Sequence, residues 1–471
     1  MLPNANEVLS LSALAQAGLI RERRISSREL VSAHLDQIAR VNPVINAAVE
    51  VFTESALAAA DAADRAVANR PLHGVPFSVK DSIEIAGARC TGGTKGRANV
   101  PPCSADATLV SRLRKAGGIP IARTNLPDLL FAFESDNLLF GRTSNPYDLA
   151  RTSGGSSGGE AALIAACGAP LGLGSDAAGS VRLPAAFCGI AGIKPTSGRL
   201  PRTGHFPPAG LWIEALWQIG PMARHVEDLV AAMELLGSPD GIDGTCPPVP
   251  WRDPRAVDVG SLRIAFHVNN GIVAADHEVS EVVRRAAQAL GGIVQSLDEK
   301  RPACLESAYD LEMKLLGADG GDGVRSYLRK LASTELHPLL TGWLDKLGPY
   351  RTDAAGFGGY WNKWDRYRAE MLAFARDFDA IVSPAYIHPA LPHATSIRDE
   401  NFIGFSYTMA YNVAGWPAAV VRCGQSASGL PIAVQIAAPP WRDDIALALA
   451  ARLEEIFGGW KAPALSARSA T

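Results

Sequence analysis

The sequence predicts an α/β fold in which a largely parallel sheet is covered by helices on both faces. Two observations carry this expectation. Between residues 72 and 198, short apolar runs alternate with helical stretches, the texture of strands buried on both sides and joined by crossover helices. The composition is 47% hydrophobic and 20% charged over 471 residues, enough apolar matter for a large core and too little charge for disorder. Length as a prior would allow roughly two to four domains. No internal repeat breaks the chain, and Gly154 to Gly159 is its one low-complexity patch.

Residues 1–68 read as helices. The clearest begins at Ser26, which stands three residues before Glu29 in capping-box spacing. Val31, Leu35, Ile38 and Ala39 then recur at the spacing of one helix face, and Pro43 is expected to follow the helix end. Strands are expected at 74–79, 118–122 and 170–174, with helices at 107–116 and 159–166. Residues 241–256, rich in Pro, Gly and Asp, read as a surface excursion. A strand at 262–267 and a helix at 276–290 follow. Residues 300–375 look helical and concentrate Trp343, Tyr350, Tyr360, Trp361, Trp364 and Tyr367. A last strand–helix portion runs from 379 to about 457.

Charge and cysteine usage exclude several classes. Forty-five Lys plus Arg against 48 Asp plus Glu give a net charge of −3 with no basic block, so neither nucleic acid nor an anionic membrane is expected as a partner. The seven cysteines (Cys90, Cys103, Cys167, Cys188, Cys246, Cys304 and Cys423) form no C-x-x-C pair or zinc-ligand array. They read as free thiols in a reducing compartment. The N-terminal run lacks a positive region typical of a signal peptide. The uncharged stretch 161–175 is too short and too rich in Gly and Pro to span a bilayer. A cytoplasmic location is therefore expected.

Three segments carry chemistry: Lys80 in GVPFSVKD, the run Ser153-Gly-Gly-Ser-Ser-Gly-Gly-Glu160, and Gly174-Ser-Asp-Ala-Ala-Gly-Ser-Val-Arg182. The glycine–serine run resembles a flexible linker by composition. A helix-forming stretch follows at once, however, which places the glycines at a helix N-terminus with free backbone N–H groups. No Gly-Lys-Ser/Thr closes the run, so it is not a P-loop. It also satisfies G-x-S-x-G at both Ser156 and Ser157, but a nucleophile elbow needs a strand immediately before the serine. The preceding residues 145–153 are turn-forming.

These segments closely resemble the amidase signature family. The match covers GVPFSVKD (74–81), GIPIARTNLPD (118–128), FGRTSNPYDLARTSGGSSGGEAALIAA (140–166) and LGLGSDAAGSVRLPAAFCGIAGIKPTSGRLP (171–201). It extends more loosely over 415–436, whereas 240–375 agrees only in character. The resemblance implies a single three-layer α/β/α unit with a mixed, largely parallel sheet, spanning 69–471, with the helices of 1–68 packed on it. It implies a catalytic triad of Lys80 as base, Ser156 as relay carrying a non-proline cis peptide, and Ser180 as nucleophile. Ser180 lies 24 residues after Ser156, the family spacing. It further implies an oxyanion hole of backbone N–H groups at Ala177, Ala178, Gly179 and Ser180, with Ser157, Asp176 and Arg182 holding the loops. Three positions depart from the common pattern: Ala178 for glycine, Arg123 for lysine and Ser153 for proline.

The chemistry explains these residue types. A serine hydroxyl needs a base to take its proton, and a lysine serves only when burial has lowered its pKa enough to leave it neutral. The run 129–133 aligns with the segment lining the acyl channel in fatty acid amide hydrolase-like members, which makes Leu130, Phe131 and Phe133 candidate substrate contacts. The expected substrate is a small-molecule amide with an apolar aryl or acyl-chain group. No cofactor and no metal are expected, and a homodimer is compatible with the sequence. Two alternatives remain: the A subunit of a glutamine-dependent tRNA amidotransferase, and a catalytically idle binding subunit of the same fold.

Overall fold

A computed structural model describes residues 5–208 and 214–466. Its main sheet has eleven strands, here numbered in chain order: β1 (Ala48–Val51), β2 (Pro76–Lys80), β3 (Ile119–Thr124), β4 (Leu171–Asp176), β5 (Ala191–Lys194), β6 (Gln218–Ala223), β7 (Arg263–Phe266), β8 (Ser296–Glu299), β9 (Ala380–Pro384), β10 (Ala418–Gln425) and β11 (Pro431–Ala437). Their order across the sheet is β1-β3-β2-β4-β6-β5-β10-β11-β9-β7-β8. The sheet is mixed, as expected, but it is not largely parallel. Only β2–β3, β2–β4, β7–β8 and β7–β9 pair in parallel, while the other six neighbouring pairs are antiparallel. Connection length is one physical reason. The five residues between β10 and β11 close a tight turn, with Ser426 N–H donating to the Leu430 carbonyl, and so short a link permits only a hairpin.

Apolar side chains alternate along the strands and sort the helices onto two faces. Phe77 and Val79 of β2 and Leu171 and Leu173 of β4 face one core. That core is covered by the helices Ala13–Arg21, Thr108–Lys115, Val226–Leu236, His277–Gly291 and Asp443–Phe457. The opposite face packs Ser27–Ile45 and the apolar helix Gly158–Ala165. An aromatic layer follows there, built by Pro338–Leu347 and the segments around Phe133, Phe402 and Phe405. No helix among the described residues is long and apolar enough to cross a membrane.

The N-terminal region departs from the sequence expectation twice. The helix at Ser26 forms with its capping box, yet it runs through Pro43 to Ile45. Proline deprives the last turn of one donor only. The Asn42 carbonyl still receives the Asn46 N–H at 2.8 Å, Val41 and Ile45 are buried, and Asn46 ends the helix in the left-handed region. Residues 48–51 are also not helical. They pair with β3 and make the N-terminal segment an edge of the same sheet.

Candidate active site

The three chemistry-bearing segments meet at one end of the parallel strands β2 and β4. Strand β2 ends at Lys80 and β4 at Asp176, and their register pairs Val79 with Leu173. Side chains at such strand ends project toward the loops where sites are built. Pleating places Lys80 and Ser78 on the face opposite Phe77 and Val79, toward the helix Gly158–Ala165. The Glu160 carboxyl of that helix accepts from Ser78 Oγ and, at 2.6 Å, from Thr124 Oγ1. Gly172 is required there, because a Cβ at this position would collide with Glu160.

Lys80 is fully buried. Its Nζ lies 2.7 Å from Ser156 Oγ, 3.1 Å from Ser175 Oγ and 3.4 Å from the Ser175 carbonyl. Burial pushes its pKa down to about 7, against the opposing pull of the Asp176 and Glu160 carboxylates. Burial raises the Glu160 carboxyl to about 7 in turn. The peptide between Gly155 and Ser156 is cis. The next residue stitches the loops together: Ser157 N–H donates to the Ser180 carbonyl at 3.1 Å, and Ser157 Oγ donates to the Ser175 carbonyl at 3.2 Å. Ser156 and Ser180 thereby stand in the wall of one cavity.

Asp176 organises the loop that carries Ser180. Its carboxylate accepts from the N–H groups of Gly179 (2.8 Å), Val181 (3.1 Å) and Arg182 (3.3 Å). It also accepts from Arg182 Nε and Nη2, both at 3.0 Å, and from Asn412 Nδ2 at 3.0 Å. Although burial alone would raise it, these donors hold the Asp176 carboxyl well below the usual carboxylate range. Gly179 has φ +127°, where a Cβ would also strike Thr408. Thr408 Oγ1 donates to the Ala178 carbonyl at 2.7 Å.

The Gly179 N–H is thus already bonded to Asp176, which corrects the expectation that it faces a developing oxyanion. A short acidic side chain three residues before an N–H caps it locally. The N–H groups of Ala177, Ala178 and Ser180 have no acceptor among the described residues. Phe133 needs a second correction. Leu130 and Phe131 line the cavity, whereas Phe133 stacks on Phe405 at 3.6 Å behind that wall and is buried. Three aromatic neighbours (Phe405, Trp343 and Phe402) draw it into the core instead.

Sequence reasoning missed several participants. Ser175, beside Asp176 in the matched motif, gives Lys80 its second hydroxyl contact. Trp217, Leu316, Trp343, Pro207 and His205 complete the cavity wall. Trp343 had a visible signal in the aromatic concentration of 300–375, but the others come from segments with no local mark. His205 is buried and held neutral, its pKa lowered by burial to about 3. Both its ring nitrogens are engaged, Nδ1 with the Pro207 carbonyl and Nε2 with Ser82 Oγ, each at 3.2 Å. Arg123 is explained as well: it forms a buried ion pair with Asp81, the residue after Lys80.

Known proteins share this architecture over nearly their full length. Human fatty-acid amide hydrolase 2 is 31% identical over 98% of this chain and 92% of its own. The A chain of the glutamyl-tRNA(Gln) amidotransferase of Salinispora tropica is 32% identical over 98% of this chain and all of its own. The structure of 6-aminohexanoate cyclic dimer hydrolase superposes with a TM-score of 0.87 at 27% identity, covering 97% of this chain and 99% of that one. Fold and relatives define a hydrolase of carbon–nitrogen bonds other than peptide bonds. The chain belongs to the amidase signature family, whose model matches residues 29–447.

Proposed function

We propose that this amidase cleaves a carboxylic amide through an acyl-enzyme on Ser180, with Ser156 as proton relay and neutral Lys80 as base. The observation that carries the reading is Lys80 Nζ at 2.7 Å from Ser156 Oγ, in a setting whose burial lowers the lysine pKa to about 7. Lys80 takes the Ser156 hydroxyl proton as Ser156 takes that of Ser180, and Ser180 Oγ attacks the amide carbon. The N–H groups of Ala177, Ala178 and Ser180 supply the donors for the oxyanion. A preorganised donor of this kind is typically worth on the order of 10²–10³ in rate. As the tetrahedral intermediate collapses, the proton returns through Ser156 to the leaving amine. Water then enters, loses its proton by the same route, and releases the acid.

The cavity favours a neutral, apolar acyl group. Leu130, Phe131, Pro207, Trp217, Leu316 and Trp343 form most of its wall. Its charged lining residue, Asp176, is committed to Arg182. The similarity to an amidotransferase chain favours glutamine as a second reading. Glutamine would bring an α-ammonium and an α-carboxylate into this wall, where no described side chain offers a spare counter-charge, so the hydrolase reading is preferred. The free cysteines agree with a cytoplasmic setting.

The test is Ser180→Ala. The variant should lose hydrolysis across a panel of amides of graded acyl length, and lose labelling by a fluorophosphonate, while its thermal midpoint stays within about two degrees of wild type, as expected for a substitution that leaves the packing alone. Turnover above a few per cent of wild type would remove Ser180 from the role of nucleophile.

A further inference from the structure

We propose that Trp343 determines specificity: its indole Nε1–H donates a hydrogen bond to an acceptor atom in the acyl portion of the substrate. The inference rests on reading the cavity as the amide site. Trp343 lies in the helix Pro338–Leu347, whose apolar residues Leu339, Leu340, Leu344 and Leu347 are buried. The start of that helix is tied to the segment preceding Leu130 and Phe131, since His337 N–H donates to Asp128 Oδ2 at 3.1 Å. The indole is therefore a fixed part of the wall. It meets Phe131 edge-on at 5.8 Å, Phe133 at 4.7 Å and Phe402 at 5.0 Å.

Trp343 is only 5% exposed, and its Nε1 has no hydrogen-bond partner among the described residues. Buried indole N–H groups ordinarily find an acceptor. In this chain Trp364 donates to the Val413 carbonyl at 2.6 Å and Trp460 to the Ala165 carbonyl at 3.2 Å. Trp251 also lacks a partner but does not line this cavity. The rings packed on Trp343 present carbon atoms only. The remaining neighbour is the cavity, where His205 and Asp176 have their polar atoms already engaged. A donor left unpaired until substrate arrives discriminates strongly, because an analogue without the acceptor leaves it buried and unsatisfied. The substrate class is thus an apolar amide bearing a neutral acceptor beyond the scissile carbonyl, such as an ether, ketone or ester oxygen.

The experiment measures kcat/KM for a series of primary amides in which one acyl methylene at a time is replaced by an ether oxygen, with the all-carbon amide as reference. Wild type should show one position preferred over its flanking positions by on the order of ten- to a hundredfold. Trp343→Phe, which keeps an aromatic ring and removes the donor, should flatten that profile and leave the all-carbon amide within about threefold of wild type. Trp343→Leu serves the same end if the Phe variant does not fold. A flat wild-type profile, or a preference that survives loss of the indole, overturns the assignment while leaving amide hydrolysis intact. Failure of wild type to cleave any member, the all-carbon amide included, instead overturns the functional reading on which it rests.

Discussion

A lysine accepts a proton only after it has lost its own, and at residue 80 burial removes it. The ordinary value of 10.5 falls to about 7, so the neutral amine becomes the major form just above neutrality. Hydrolysis should therefore rise with pH along one ionisation near 7 and level off about one unit above it. Lys80→Ala should remove that limb and lower the plateau by about 10²–10⁴-fold. Lys80→Arg should do no better, since a guanidinium keeps its proton. The histidines provide the control. His205 is neutral with both nitrogens occupied, His225 is lowered by burial and bonds to the Ser10 carbonyl at 3.0 Å, and His388 sits 3.0 Å from Asp276 away from the cavity. Substitution of His225 or His388 should leave the limb in place; stopped assays from about pH 5.5 to 9.5 would show it, spanning the lowered lysine value on both sides. A limb that survives Lys80→Ala and disappears with a histidine would put the base elsewhere.

At the scale of an element, the loop from Asp176 to Arg182 is a side-chain-organised turn rather than a flexible connection. One carboxylate gathers three backbone N–H groups, the Arg182 guanidinium and the Asn412 amide. Asp176→Asn removes the charge and leaves Arg182, fully buried, without its counter-ion. Breaking such a pair from one side costs about 3–5 kcal/mol, to be read as a lowered urea midpoint, and kcat should fall with it because Ala178 and Ser180 lose their anchor. Unchanged stability would mean that Asn412 and Gln435, which also touch Arg182, hold the loop without Asp176. This element was legible in the sequence as a motif, as were β2, β3 and β4 from their apolar runs. What was not legible depended on partners distant in the chain. Pro43 looked like a helix end because the burial of Val41 and Ile45 is invisible locally. Residues 48–51 became a strand only because β3 offers them an edge. Phe133 and Phe131 share one apolar run, and only the rings of Phe402 and Phe405 decide which of them faces the cavity. The loss of Gly179 as an oxyanion donor follows from a rotamer of Asp176, which no spacing reveals.

At the scale of the whole molecule, the N-terminal helices and the sheet share charged groups in one core. Asp228 accepts from Ala13 N–H at 2.8 Å and Leu14 N–H at 3.1 Å, and Arg224 reaches the Leu9, Leu11 and Ala169 carbonyls. Such a core carries a pH signature. Lys80 and Lys194 are both fully buried and pushed down to about 7, whereas an unfolded lysine keeps its proton to about 10.4. Between those values the unfolded chain binds more protons, so stability rises with pH by about 1.4 kcal/mol per unit for each lysine. The carboxyls of Glu160, Asp228 and Glu454, raised by burial to about 7, work oppositely and at lower pH: stability falls between about 4 and 7 as the unfolded carboxyls ionise first. His34, His205 and His267, each lowered to about 3, offset them over the same interval, because the unfolded histidines bind protons that the folded ones refuse. Glu312, pushed well above its ordinary value, opposes the lysines until it ionises, so the difference between variant and wild type is the decisive quantity. Lys80→Met should be more stable than wild type by a margin that is full and constant below about pH 7, shrinks steadily above it, and vanishes near about pH 10.4. Lys194→Met should trace the same curve while keeping the cavity residues in place. Thermal midpoints taken from about pH 6 to 10.5 measure it, a window that brackets both the folded and the unfolded lysine values. A margin independent of pH would show that Lys80 is charged in the folded protein, and the neutral-base mechanism would fall with it.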